Sequence, residues 1–125
     1  MYDCGSCLYP QADEAIMRDT IDKQPERDFR TFSIPLSSIK VNGKKINYFD
    51  FISSLENADC NKALKRILPK INMDAIFRIV DETPFISDLQ KQFYKTMLRT
   101  RKERILDFAM EKLRKREKAK ELDAR

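Results

Sequence analysis

Two short patterns near the start of the chain contain the residues best suited to chemistry. Cys4 and Cys7 form a Cys-x-x-Cys pair, and Asp3 and Gly5 form an Asp-x-Gly pair, all within the stretch MYDCGSCLYP. Cysteine pairs of this spacing bind zinc or act as redox dithiols. A carboxylate beside a glycine can hold magnesium at a tight turn. Three different chemistries therefore have to be compared with the rest of the sequence.

The two cysteine chemistries lack the partners that they require. Structural zinc needs four ligands, and the chain has no histidine and one further cysteine, Cys60, so a closed site would need a carboxylate or a second subunit. A thioredoxin-like pair should follow a strand and open a helix, whereas Leu8-Tyr9-Pro10 follows this one. We therefore expect free thiols in a reducing compartment, with zinc and redox roles as the remaining alternatives.

The sequence does not predict a self-contained active site. Histidine, the commonest general base, is absent, and the two glycines, Gly5 and Gly43, are 38 positions apart, which leaves no glycine-rich loop for a phosphate. We assign no catalytic residue and no cofactor-binding residue. Asp3 remains a candidate metal ligand, with Gly5 as the turn residue beside it.

Length and composition indicate one soluble cytoplasmic domain. The 125 residues are enough to bury a hydrophobic core without disulfides or metal. The sequence contains no apolar run long enough to span a membrane and no secretory signal. We expect a single domain over 1–125, with a poorly packed N-terminal segment at 1–30, a helical core at 31–113 and a polar helical extension or frayed tail at 114–125.

The basic charge of the chain is concentrated at its C-terminal end. The net charge is +5, and residues 99–125 hold 11 lysines and arginines against 6 acidic residues. The cations that could contact phosphates are Arg101, Lys102, Arg104, Lys112, Arg114, Lys115 and Arg116. Acidic residues alternate with them, which is typical of an exposed helix face crossed by salt bridges. We do not expect nucleic acid as a partner, although it stays an alternative.

The secondary structure that would position these residues is predicted to be mainly α-helical. Alternating apolar residues on both sides of Asn42-Gly43 predict a small β-hairpin near 37–48, because this dipeptide suits a type I′ turn. Residues 13–22, which are rich in charge, are predicted to form a short helix that ends before Pro25. Helices are further predicted after Asn47, over 59–68 and after Asn72 or Asp74, the last of these ending at Thr83-Pro84.

A capping box at Ser87 and Gln90 predicts a long C-terminal helix from about residue 88. One apolar stripe follows it: Leu89, Phe93, Met97, Ile105, Phe108 and Leu113. We interpret this stripe as the central core element of the helical domain. The alternative is a groove or coiled coil for a partner, but the spacing departs from a strict heptad.

Four stretches of the chain resemble the C-terminal part of HipA-like serine/threonine kinases, the kinases of type II toxin–antitoxin modules. They are YDCGSCLYPQ at 2–11, VNGKKINYFDFI at 41–52, LPKINMDAI at 68–76 and DETPFISDLQKQFYKTMLRTRKERIL at 81–106. The resemblance covers nearly the whole chain. Only the first stretch is a functional motif, and the others are a general likeness of helical segments.

The resemblance implies a metal-binding role for Asp3. In such kinases a Tyr-Asp-x-Gly phrase holds magnesium against the nucleotide phosphates, and Tyr2, Asp3 and Gly5 match it. The phosphate-binding loop, the nucleotide-contacting lysine and the catalytic aspartate and asparagine should precede this motif, where the given sequence has only Met1 and Tyr2. We therefore expect a helical C-terminal subdomain of a HipA-like kinase, present as a separate short protein that is not catalytic alone.

Three functions remain open after this comparison. The first is a non-catalytic interaction module or remnant that needs no cofactor. The second is one half of a split HipA-like serine/threonine kinase, which would use Mg²⁺ and ATP once a separate N-terminal partner completes it. The third is a nucleic-acid-binding helical protein that uses the basic C-terminal helix. No membrane partner is expected, and the sequence does not indicate an oligomeric state.

Overall fold

The computed structural model describes residues 12–33 and 37–123. Helices occupy most of these ranges: α1 (Glu14–Asp22), α2 (Gln24–Asp28), α3 (Tyr48–Ser54), α4 (Ala58–Ile67), α5 (Met73–Glu82), α6 (Asp88–Arg101) and α7 (Phe108–Asp123). Two π-helical segments, Phe29–Ser33 and Lys102–Asp107, and a 3₁₀ turn at Leu68–Lys70 continue some of them. The predicted fold class, mainly α with one small hairpin and a long C-terminal helix from residue 88, is confirmed.

Side-chain caps fix where several helices begin. Asn47, Asn57 and Asn72 each accept a hydrogen bond from the backbone N–H three residues later, at 2.7, 2.8 and 3.1 Å. The capping box is also present, since Ser87 N–H donates to Gln90 Oε1 at 2.7 Å and Gln90 N–H donates to Ser87 Oγ at 3.1 Å. Each cap satisfies amide groups that a helix start otherwise leaves without a partner.

The predicted hairpin is confirmed and is very short. Strands β1 (Lys40–Val41) and β2 (Lys44–Lys45) pair antiparallel, with Lys40 opposite Lys45. Asn42 and Gly43 both have positive φ, 52° and 80°, as a type I′ turn requires.

The described residues group into two compact units, and the first contains 12–33 and 72–100. Its core is Met17 of α1 with Phe93 and Met97 of α6, all buried. Thr20 is also buried and donates its hydroxyl to the Ile16 carbonyl at 2.8 Å. Met17 and its neighbours thus pack the described part of the N-terminal segment against α6. The division of the chain at residues 30 and 113, with a poorly packed segment at 1–30, stays a prediction.

The second unit contains 37–71 and 101–123. Its buried core joins Leu55 and Leu64 to three residues of α7, namely Ala109, Met110 and Leu113. Ile52, Leu68 and Leu106 pack against this core. The apolar face of α7 ends at Leu113, and the helix then continues as a polar extension to Asp123.

The π-helical segment Lys102–Asp107 changes which residues of the long helix are buried. A π turn holds about one residue more than an α turn, so the angular position of the residues next to it differs from that in a regular α-helix. Ile105 and Leu113 are buried as predicted, but Phe108 is 49% exposed and Ala109 is fully buried in its place. The prediction of Phe108 as a core residue is therefore wrong; its ring lies 5.4 Å from that of Phe49 at the edge of the unit.

Candidate functional site

The residues that the sequence singles out for metal binding lie outside the described residues. Asp3 and Gly5, the candidate ligand and its turn residue, belong to the stretch before residue 12, as do Cys4 and Cys7. Their assignments therefore stay predictions. Within 12–33 and 37–123, no group of three or more histidine, cysteine or acidic residues is arranged to hold a metal ion. No helix in these ranges is long and apolar enough to cross a membrane.

Cys60 is a free, partly buried thiol on α4. Burial raises its pKa, because the protein interior favours the neutral thiol over the thiolate. The thiol borders an open apolar groove of about 180 Å³ on the second unit. The groove is lined by Ile52, Cys60, Ala63, Leu64, Ile67, Leu68, Ile71 and Leu106. This groove accommodates apolar groups, and its thiol is less nucleophilic than an exposed one.

A second, larger groove on the same unit has a mixed lining. It measures about 300 Å³ and is bordered by Leu68, Pro69, Asp107, Met110, Glu111 and Arg114. Its acidic residue Asp107 already binds Lys102, whose Nζ lies 3.0 Å from both carboxylate oxygens. The two residues are five positions apart, the spacing that a π turn brings together. This pair stabilises the π-helical segment.

Two cations of the basic C-terminal helix cap another helix. Lys112 Nζ donates to the Ser53 carbonyl at 2.8 Å, and Arg116 Nη1 donates to the Leu55 carbonyl at 2.9 Å. The buried side chain of Asn61 donates to the same Leu55 carbonyl at 2.8 Å. Leu55 ends α3 in the left-handed conformation, with φ of 62°. Cations at the negative end of a helix are favourable, so these contacts hold the second unit together.

Other cations of the proposed phosphate-binding set also have contacts within the chain. Lys102 binds Asp107, Lys115 lies 3.9 Å from Glu111, and Arg101 and Arg104 each have a further interaction. A salt bridge also joins Glu117 to Lys65 on α4. The contacts agree with the interpretation of this helix face as a solvated, salt-bridged surface.

The corner between α5 and α6, on the first unit, exposes two large apolar side chains. Phe85 is 103% exposed, which means that its ring contacts nothing within its own unit, and Ile79 is 69% exposed. Phe85 also has a positive φ of 66°, in the left-handed region that a bulky residue seldom adopts. The corner thus combines backbone strain with unburied apolar surface.

Hydrogen bonds fix the backbone on both sides of Phe85. Before it, the Thr83 hydroxyl donates to the Ile79 carbonyl at 2.6 Å and Thr83 N–H donates to the Val80 carbonyl at 3.2 Å. After it, the capping box of Ser87 starts α6. The two helices are tied directly, because Lys91 Nζ donates to the Asp81 carbonyl at 2.8 Å.

A salt bridge reinforces the same corner. Lys95 Nζ lies 2.8 Å from the Asp81 carboxylate and 6.0 Å from the ring centroid of Phe77. Sequence reasoning missed the corner as a candidate site. Thr83-Pro84 predicted correctly that a helix ends there, but no sequence signal indicates that the next residue turns left-handed and exposes its ring.

Known proteins similar to this chain include a bacterial kinase. No protein-family model matches the chain. The chain is 46% identical over 110 residues to the serine/threonine-protein kinase CtkA of Helicobacter pylori strain J99, and the alignment covers 87% of this chain and 34% of that kinase. The crystal structure of the H. pylori proinflammatory kinase CtkA matches with a TM-score of 0.81 at 46% identity, covering 88% of this chain and 40% of the crystallised one.

The chain therefore spans about a third of the length of the curated relative that it matches. The similarity extends over both units described above, since it leaves only 13% of the chain outside the alignment. In sequence and in fold, this chain is similar to a helical part of a serine/threonine-protein kinase.

Proposed function

We propose that this chain is the helical C-terminal part of a HipA-like serine/threonine kinase, and that it acts as a non-catalytic interaction module for the rest of such a kinase. The observation that carries the proposal is the extent of the similarity to CtkA, nearly the whole of this chain but only 34% of the kinase. A part of a kinase fold needs surfaces that contact the rest of that fold. The exposed Ile79 and Phe85 are candidates for such a surface.

Phosphoryl transfer requires several groups that act together. A kinase holds magnesium, the nucleotide phosphates and the acceptor hydroxyl together, with a glycine-rich loop, a lysine and a catalytic aspartate and asparagine. By resemblance the chain contributes Asp3 as one metal ligand, with Gly5 as the turn residue next to it. The other glycine of the sequence, Gly43, is too distant to form a glycine-rich loop with Gly5. Holding one ligand without the others supplies little of the positioning on which catalysis depends.

The second candidate function is one half of a split kinase. In that case a separately encoded N-terminal portion would complete the fold, and the assembly would bind Mg²⁺ and ATP and phosphorylate a protein. The exposed corner at Phe85 favours this alternative over an evolutionary remnant. Selection would not maintain a strained, water-exposed aromatic residue in a protein without a function. A role in a toxin–antitoxin module and a cytoplasmic location belong to the same proposal.

Two measurements on the full chain test the proposal. Calorimetric titration with Mg²⁺-ATP should give no heat of binding for the chain alone, and micromolar affinity would contradict the non-catalytic assignment. The chain should then be co-expressed with the part of the Helicobacter pylori kinase that lies outside the matched region. A stable complex in size-exclusion chromatography is expected; separate elution of the two polypeptides would contradict the interaction role.

If the complex forms, its kinase activity distinguishes the two candidate functions. Transfer of γ-phosphate from ATP to protein by the complex, lost on Asp3→Ala, would establish the split kinase. A stable complex without transfer would leave the non-catalytic module. The matched control is Asp13→Ala, which removes a carboxylate that only caps α1 through a 2.8 Å hydrogen bond from Ile16 N–H.

A further inference from the structure

The turn between α5 and α6 reads Glu82-Thr83-Pro84-Phe85-Ile86-Ser87-Asp88. Phe85 lies at its centre with its whole ring in water, and the carboxylates of Glu82 and Asp88 lie three positions to either side. Both carboxylates are exposed, and neither is in an ion pair within the ranges that the structure describes. The surface is thus an aromatic knob flanked by two unpaired negative charges.

Hydrogen bonds on both sides fix the backbone that carries the Phe85 ring. The hydrogen bonds of Thr83 before it and of the Ser87 capping box after it leave three residues of turn between two fixed points. The Lys91 and Lys95 contacts with Asp81 join the helices on both sides. A backbone that is already ordered loses little conformational entropy on binding, so the cost of docking Phe85 is limited to the rotamers of its own side chain.

The charges around Phe85 restrict what can cover it. The nearby lysines are occupied, because Lys95 binds the Asp81 carboxylate and Lys91 its backbone carbonyl. A complementary surface therefore needs an apolar pocket for the ring and lysine or arginine side chains at the rim for Glu82 and Asp88. A lipid surface does not fit this pattern, because anionic headgroups would repel both carboxylates.

We propose that the α5–α6 corner, defined as Ile79, Glu82, Phe85 and Asp88, is the docking surface of this chain for the part of the kinase fold that lies outside it. The inference rests on the proposed function, and adds which surface makes the contact and what the partner must offer. The partner is a protein with a cation-rimmed apolar pocket. Two thirds of the length of the related kinase has no counterpart in this chain, and that part is the partner to which the inference commits.

The test measures binding of the full chain to the co-expressed part of the Helicobacter pylori kinase outside the matched region. Phe85→Ala should weaken the complex at least tenfold, the effect typical of a central aromatic anchor. Glu82→Lys should weaken it by slowing association, and the effect should shrink as salt is added. Leu122→Ala is the matched control, since it removes another exposed apolar side chain, on α7, and should leave the affinity unchanged.

The outcomes separate this inference from the proposed function. If the wild-type chain forms no complex, both are contradicted. If it forms one that Phe85→Ala leaves at wild-type affinity, the docking surface is contradicted and the proposed function is not. If Phe85→Ala instead converts a wild-type homodimer to a monomer without affecting the complex, the corner binds a second copy of the chain, which also contradicts the inference. Thermal unfolding of each variant shows whether it is folded.

Discussion

Replacing Phe85 with glycine is expected to make the isolated chain more stable. The Phe85 ring is 103% exposed, so its removal loses no packing, while φ of 66° strains any residue with a side chain. The left-handed conformation costs an L-residue about 1 to 2 kcal/mol, which glycine avoids. Glycine also makes the unfolded chain more flexible, which lowers the free energy of unfolding by about 0.4 to 1 kcal/mol. The difference is a net stabilisation of about 0.5 to 1 kcal/mol.

Urea unfolding followed by circular dichroism measures this change directly. The midpoint should rise with an unchanged slope, since the surface exposed on unfolding is nearly the same. The melting temperature should rise by roughly 2 to 4 °C for a chain of this size. Because the same substitution removes the ring proposed to dock a partner, Phe85→Gly should combine higher stability with weaker binding. Sites that trade stability for interaction commonly behave in this way.

Two further variants separate the ring from the backbone. Phe85→Ala removes the ring but keeps the strain, so its stability should stay within about 0.5 kcal/mol of the wild type. Leu55→Gly relieves a similar strain, φ of 62°, at a buried position, and the lost packing of about 2 to 5 kcal/mol should outweigh the relief. If Phe85→Gly lowered the free energy of unfolding by more than about 1 kcal/mol, the ring would have to be packed against the protein, and the reasoning would be refuted.

Three other measurements test the packing. Phe93→Ala should cost about 3 to 5 kcal/mol in urea unfolding because the ring is fully buried, and Phe108→Ala, at a half-exposed ring, about half as much or less. Deleting Glu103 should turn the π segment into a regular α-helix with little change in melting temperature, whereas deleting Gln92 from α6 should shift the buried face and unfold the chain. Cys60, in a background where the other cysteines are serine, should react with iodoacetamide with a midpoint at higher pH than free cysteine, and an unshifted midpoint would contradict its burial.

Features set by neighbouring residues could be predicted from the sequence. Asn47 and Ser87 cap their helices because a short polar side chain reaches the amide three residues later, whatever the rest of the fold does. Asn42-Gly43 forms its turn for the same local reason, since both residues tolerate positive φ.

Features set by distant packing could not be predicted. An α-helical period places Phe108 on the buried stripe, but the π turn before it moves that position to Ala109. No residue type in the segment requires a π turn, so the sequence does not predict it. The left-handed conformation of Leu55 could not be predicted either. Its carbonyl accepts a hydrogen bond from Arg116, about 60 positions later in the chain. For the candidate sites, Asp3 came from a family resemblance, whereas the exposure of Phe85 depends on a backbone angle that Pro84 does not specify.

The two units alternate along the chain, and this order limits how the protein can be made. The segments 12–33 and 72–100 belong to one unit, and 37–71 and 101–123 belong to the other. During synthesis the first unit is complete once residue 100 has emerged, although more than half of the second was made earlier. The carbonyls of Ser53 and Leu55 cannot accept their hydrogen bonds until Lys112 and Arg116, 59 and 61 residues later, have been synthesised. Closing such long loops is slow, so the end of α3 should be the last part of the nascent chain to become protected against proteolysis.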